Sequence, residues 1–134
     1  PFGVAELEAG KTRLIMKSSE APDFDKQTGR VIVANADELK ARPEVFVRYM
    51  RGYRESLAWI YSTPEGLKAY AAFAKLSEET ARRALKEFLP LSAVDPDRVS
   101  GVDEVVADAI AFKFITAPLT PAQRAELIRV PQPK

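Results

Sequence analysis

The sequence predicts a helix-rich α/β fold with an incomplete sheet, and two observations carry this prediction. Two short, largely apolar segments lie near the start of the chain and account for all of its strand signal. From residue 35 onward, capping residues and apolar side chains at helical spacing follow one another without a break. We therefore expect two strands near the start and helices that dominate after residue 34.

The first 34 residues contain both predicted strands. Residues 2–9 carry apolar side chains at helical spacing, and Gly10 stands where a glycine would end that helix. Residues 12–16 and 30–33 are the predicted strands. The polar stretch between them, residues 17–29, is predicted to be an unusually long loop, and such loops are often functional. This loop is either a binding surface or a solvated connector.

One long amphipathic helix gives the strongest secondary-structure signal. Asn35 with Glu38 forms a capping-box pattern that opens a short helix through Ala41. Pro43 then suits the first turn of the next helix. That long helix carries an apolar stripe with a step of three or four residues, made of Phe46, Met50, Tyr53, Leu57 and Ile60.

Shorter helices follow, each opened by a residue that bears a hydroxyl group. Such a side chain accepts a hydrogen bond from a backbone N–H of the first helical turn, which has no partner within the helix. The predicted N-caps are Thr63, Ser77, Ser100 and Thr120. Residues 94–99 are predicted to form a turn-rich connector, and the tail from residue 130 is predicted to be extended or frayed.

The balance of strands and helices indicates a larger sheet. Two short strands do not form a self-sufficient sheet, whereas the helices look like the outer layer of one. The chain also opens Pro1-Phe2-Gly3, without an initiator methionine or a leader-like apolar segment. We therefore expect the other strands of the sheet to be missing, either because an upstream part of the same polypeptide was removed or because the chain is a fragment.

Composition excludes several kinds of chemistry. The chain has no cysteine and no histidine, which removes disulfides, thiolate nucleophiles, Cys/His zinc sites and imidazole bases. Its 20 basic and 19 acidic residues are interleaved, and a net charge of +1 gives no electrostatic footprint for nucleic acid. We interpret the densest basic cluster, Arg82, Arg83 and Lys86, as a solvated helix face. No apolar run reaches the roughly 18 residues that span a bilayer.

No residue pattern predicts a catalytic or metal site, and no cofactor is expected. Paired carboxylates occur in loops or at a helix start, where acidic residues favour the helix dipole, so we interpret them as structural. The pairs are Asp23/Asp25, Asp95/Asp97 and Asp103/Glu104. We interpret the aromatic residues of the long helix as core, although Trp59 lies off the apolar stripe and is either a second packing contact or a surface contact. These aromatic residues are Tyr49, Tyr53, Trp59 and Tyr61.

A run of residues 29–70 resembles a known family. It reads GRVIVANADELKARPEVFVRYMRGYRESLAWIYSTPEGLKAY. A strand with an Asn-type cap, an Arg-Pro-Glu step, a long helix ending in Ala-Trp-Ile and a Pro-Glu-initiated helix follow in the order seen in periplasmic solute-binding proteins of the nitrate/sulfonate/taurine type. The opening PFGVAELEAGKTRLI is also similar to this ABC-transporter family, and residues 102–127 are similar to its closing helices.

The resemblance implies a two-lobed, type 2 periplasmic-binding-protein fold. Residues 1–17 would finish the second lobe, residues 18–34 would carry an inter-lobe crossing, and residues 35–134 would form the helical part of the first lobe. The implied function is capture of a small, anionic ligand between the lobes, such as an aliphatic sulfonate, nitrate or an aromatic acid. Delivery to ABC permease subunits in the membrane and a bacterial periplasmic location follow from the same resemblance.

The resemblance assigns few ligand-binding residues to this part of the chain. Pro1 and Phe2 would lie at the cleft side of the first helix, and Thr28 and Arg30 near the crossing. Arg30 either pairs with an anionic ligand, since a guanidinium group suits sulfonate or carboxylate oxygens, or lies at the surface. Related thiamine-pyrimidine synthases use histidine and a cysteine-rich motif, which this chain lacks. The chain is therefore expected not to be an enzyme.

An alternative from a different class is a freestanding helical protein-interaction module. It requires the apolar faces of the helices to close on one another without a sheet. A module of this kind would be monodisperse when made alone, whereas a binding-protein segment would expose apolar surface and associate.

Overall fold

The computed structural model describes residues 3–17, 20–21, 28 and 30–130. The predicted tail beyond residue 130 and most of the predicted 17–29 loop lie outside this part of the chain. The described residues are helix-rich, as predicted, and their helices in chain order are α1 (Val4–Glu8), α2 (Ala36–Ala41), α3 (Pro43–Ser62), α4 (Pro64–Ala74), α5 (Glu78–Glu87), α6 (Leu91–Val94), α7 (Val102–Ala111) and α8 (Pro121–Leu127).

Neither predicted strand forms within the described residues, so the α/β prediction is wrong for this part of the chain. Residues 12–16 and 30–33 are irregular backbone without a ladder partner. The physical reason is that strand propensity reflects packing of a side chain against neighbouring strands, which a single segment does not supply. The apolar side chains stay in solvent instead, with exposed fractions of 79% for Ile15 and 87% for Val33.

Local capping signals position four of the eight described helices as predicted. The Asn35 Oδ1 accepts hydrogen bonds from the N–H groups of Asp37 and Glu38 at 2.9 and 3.1 Å. The Glu38 carboxylate does not close the capping box among the described contacts, because it pairs with Arg42 one turn later. The confirmed side-chain N-caps are Asn35, Thr63, Ser77 and Thr120.

The start of α7 differs from the prediction. Gly101, with φ of 70°, is the N-cap in place of Ser100. Ser100 instead pairs with Thr28: its N–H donates to the Thr28 Oγ1 at 2.8 Å, and its carbonyl accepts from the Thr28 N–H at 3.1 Å. A long-range contact therefore replaces the local cap. The one-turn helix α6 is also absent from the sequence prediction.

The core lies where α3, α4 and α5 pack together. Leu67, Ala71, Ala81 and Leu85 form a buried cluster on α4 and α5. The C-terminal end of α3 packs on it through Ile60 and Tyr61. Gly66 allows the close approach of α4 to α3, because a Cβ atom at this position would lie 2.3 Å from the Trp59 carbonyl oxygen.

Polar contacts hold the outer helices to this core. The Thr80 Oγ1 of α5 donates to the Glu8 carboxylate of α1 at 2.6 Å, and Arg83 reaches the same carboxylate at 3.5 Å. Arg54 of α3 pairs with Asp97 in the connector between α6 and α7. These contacts join α1 to α5, and α3 to the connector before α7, although the paired residues are far apart in the sequence.

Candidate functional site

Two of the four predicted ligand-binding residues fall within the described part of the chain. Pro1 and Phe2 lie outside it. Thr28 is half-buried, and its hydroxyl accepts the Ser100 N–H, so this oxygen serves a structural contact. Arg30 is exposed and forms no ion pair with the described residues. Arg30 thus combines the charge and the accessibility that an anion contact requires.

Tyr70 lies within electrostatic reach of Arg30. Burial raises the pKa of the Tyr70 hydroxyl above 10.0, and the Arg30 charge lowers it in part. The hydroxyl oxygen is buried and has no hydrogen-bond partner among the described residues. Tyr61, by contrast, donates its hydroxyl to the Leu89 carbonyl. Near the predicted crossing, the Arg30 guanidinium therefore has no ion-pair partner and the Tyr70 hydroxyl has no hydrogen-bond partner among the described residues.

Three of the four described carboxylates of the paired acidic residues, those of Asp95, Asp97 and Asp103, make structural contacts. The Arg54 guanidinium holds the pKa of Asp97 below its ordinary value of 3.8. The Asp95 Oδ1 accepts the Asp97 N–H at 2.9 Å, and Asp103 pairs with Arg124. Within the described residues, no group of three or more acidic side chains is arranged to hold a metal ion. Asp23 and Asp25 lie outside these residues.

The aromatic residues of α3 divide into two sets. Tyr53 and Tyr61 are half-buried, in line with a packing role. Tyr49 is 56% exposed, so the core interpretation is wrong for this residue, and Trp59 is 46% exposed. Tyr49 stacks on Tyr53 one turn further along α3, with ring centroids 6.5 Å apart. Trp59 is therefore the surface contact of the two roles considered for it.

The two predicted strands that do not form leave two exposed apolar segments. Leu14, Ile15 and Met16 are 49%, 79% and 59% exposed. The corresponding fractions for Val31, Ile32 and Val33 are 68%, 49% and 87%. Exposed apolar patches mark protein or membrane contacts, ligand-binding grooves or aggregation-prone surfaces.

A groove between the end of α3 and helices α4, α5 and α6 was not identified from the sequence. Its volume is about 490 Å³, and its apolar wall includes Leu67, Leu85 and Leu91. Arg82 and Lys86 line the same groove. The three residues of the predicted basic cluster therefore do not share one surface. Arg82 and Lys86 line the groove, whereas Arg83 pairs with Glu8 and Glu87 outside it. The step of four between Arg82 and Lys86 is the signal that places them on one helix face.

Comparison of the chain with protein-family models, with curated proteins and with solved structures found no match. Among the described residues, no helix is long and apolar enough to cross a membrane.

Proposed function

We propose that the chain is part of the solute-binding component of an ABC import system, of the type that captures a small anionic ligand between two lobes. The observation that carries this proposal is the pair of exposed apolar segments, residues 14–16 and 31–33, in an otherwise helical chain. The sequence resemblance assigns both segments to strands of an α/β lobe. Strands from an upstream part of the polypeptide would cover them and satisfy their backbone groups.

The arrangement of the helices supports the same proposal. The apolar stripe of α3 is only partly covered: Met50 is buried, whereas Phe46, Tyr53 and Leu57 are half-buried. A helix that lies on a sheet buries such a stripe against the sheet face. The stripe and the two uncovered segments are thus explained by one missing layer.

In the proposed binding protein, Arg30 contacts the anionic ligand and Thr28 fixes the backbone beside it. The Thr28 N–H donates to the Ser100 carbonyl and the Thr28 Oγ1 accepts the Ser100 N–H, which places Thr28 beside the start of α7. Ligand would favour the closed arrangement of the lobes through its higher affinity for that state. Pro1 and Phe2 at the cleft, a periplasmic location and delivery to a permease belong to this proposal.

The proposal is tested with the complete natural gene product. Its thermal unfolding is measured with taurine, ethanesulfonate, nitrate and benzoate, each over a concentration series. An anion that binds raises the midpoint temperature of unfolding as mass action requires. Arg30→Gln weakens the binding of that anion about tenfold, because a charge-assisted contact is lost. Arg48→Gln on the exposed surface of α3 is the matched control and leaves the affinity for the anion unchanged. A gene product that begins at Pro1, or one that no anion stabilises, contradicts the proposal.

The second candidate is a freestanding helical interaction module without catalytic activity. Its support is that α3, α4 and α5 share a buried core without any described strand. Light scattering of the purified chain separates the two candidates. A monodisperse monomer over a wide concentration range favours the module, whereas concentration-dependent association favours the uncovered α/β lobe.

A further inference from the structure

We infer that the groove bounded by Ile60, Leu67, Arg82, Leu85, Lys86 and Leu91 binds a small amphiphilic carboxylate, an acyl or aryl chain that ends in one carboxyl group. This site is separate from the predicted ligand contacts at Thr28 and Arg30, and it does not depend on the solute-binding proposal. We refer to it as the α3–α6 groove.

The size and lining of the groove suit the apolar part of such a ligand. Its volume of about 490 Å³ lies within the range of small-molecule sites, roughly 300–1,000 Å³. Leucine side chains from α4, α5 and α6 contribute to its apolar lining. The Tyr61 hydroxyl at the groove is occupied by its hydrogen bond to the Leu89 carbonyl. An acyl or aryl chain can therefore be buried here without leaving that hydroxyl unpaired.

The charge of the groove selects an anion. Arg82 and Lys86 are the charged groups of its lining, and no carboxylate of the described residues lines it. Neither side chain pairs with a described carboxylate, whereas the adjacent Arg83 has two acidic partners. Side chains four residues apart on a helix lie about 5–6 Å apart at Cβ, so one carboxylate can reach both.

The position of α4 adds to this preference. Thr63 and Pro64, at the N-terminus of α4, also line the groove. The N-terminus of a helix carries partial positive charge, which favours an anion in the groove. A free amphiphilic cation has no complementary group here.

The binding test uses the complete 134-residue chain and decanoate as the probe, with decanol and decylammonium for comparison. Titration is followed by calorimetry and by amide shifts in NMR spectra, below the concentration at which decanoate aggregates. We expect saturable binding of one decanoate, with shifts centred on Thr63, Leu67 and Leu85. Decanol and decylammonium bind at least about fivefold more weakly, and added salt weakens decanoate binding.

Two pairs of matched variants locate the site. Arg82→Gln with Lys86→Gln weakens decanoate binding about fivefold to tenfold, because two partly exposed ion pairs are lost. Arg48→Gln with Lys68→Gln makes the same change in net charge on other exposed faces and leaves the affinity unchanged. Leu91→Glu, which places a carboxylate in the groove, abolishes binding, whereas Leu127→Glu on α8 does not. Absent or non-saturable binding, or equal loss in both charge variants, overturns the inference.

Discussion

Arg54 and Asp97 form a two-point ion pair that joins α3 to the connector before α7. The Arg54 Nε donates to one carboxylate oxygen of Asp97 at 2.8 Å, and the Nη2 contacts the other oxygen at 2.5 Å. The two residues are 43 positions apart in the sequence. A bidentate guanidinium–carboxylate contact fixes the relative orientation of the two groups, so this pair holds the connector and the start of α7 beside α3.

The pair makes stability depend on pH in the acid range. Asp97 has a folded pKa below its ordinary value of 3.8, because Arg54 stabilises the charged form. The stabilising contribution is therefore present above pH 3.8 and is lost as the pH falls through the lower folded pKa. We expect Asp97→Asn to lower the free energy of unfolding at pH 7 by about 0.5–1 kcal/mol, since the pair is partly exposed.

Urea unfolding at a series of pH values measures this effect. The difference in free energy of unfolding between the parent chain and Asp97→Asn becomes smaller as the pH falls below 3.8. Asp108→Asn on α7 is the control, because Asp108 is exposed and makes no ion pair with the described residues. A difference that stays constant down to pH 2 would count against the ion pair as its cause.

Two glycines in the α3–α4 hairpin are expected to respond in opposite directions to alanine. Gly66→Ala places a Cβ atom 2.3 Å from the Trp59 carbonyl oxygen and forces α4 away from α3. This change lowers the free energy of unfolding by about 1–3 kcal/mol through overpacking. A Cβ atom added at Gly52 meets no other atom within 4 Å. Gly52→Ala therefore raises the free energy of unfolding by about 0.5–1 kcal/mol, because alanine is the better helix former. Denaturant unfolding of both variants checks the prediction, and stabilisation by Gly66→Ala would contradict the close helix contact.

The α4–α5 cluster is expected to carry much of the stability of the described chain. Leu85 is 8% exposed and packs with Leu67, Ala71 and Ala81. Leu85→Ala lowers the free energy of unfolding by about 2–5 kcal/mol through lost burial and a residual cavity. Leu127→Ala, at a position that is 69% exposed, changes it by less than about 0.5 kcal/mol. Equal effects of the two substitutions in urea titrations would show that the core lies elsewhere.

The exposed apolar segments are expected to cause association of the chain. Ile15→Lys and Val33→Lys replace two highly exposed apolar side chains with charged ones. Both substitutions reduce the weight-average mass measured by light scattering at high protein concentration, because they interrupt the apolar surface. Phe73→Lys, at a position that is 86% exposed on α4, is the control for removal of a single exposed apolar side chain. An equal reduction by Phe73→Lys would assign the association to exposed apolar surface in general.

Helices were predictable because their signals are local. Thr63 and Thr120 accept backbone N–H groups within the first helical turn, a contact that the sequence pattern specifies by itself. Ser100 has the same local pattern, but its pairing with Thr28 competes with the cap and Gly101 takes that role.

Features that depend on distant residues were not predictable. Strand propensity at residues 30–33 requires a partner strand, and the described residues supply none. The α3–α6 groove likewise joins Ile60, Lys86 and Leu91, whose proximity arises only when four helices pack together.

Hydrogen exchange of the complete natural gene product tests the proposal that this chain is part of an α/β lobe of a solute-binding protein. The amides of residues 14–16 and 31–33 are the ones to follow. If the proposal holds, these amides are strongly protected, comparably with those of α4, because ladder hydrogen bonds to further strands cover them. Exchange of these amides at the rate of an unstructured peptide, with α4 still protected, would show that no further strands cover them.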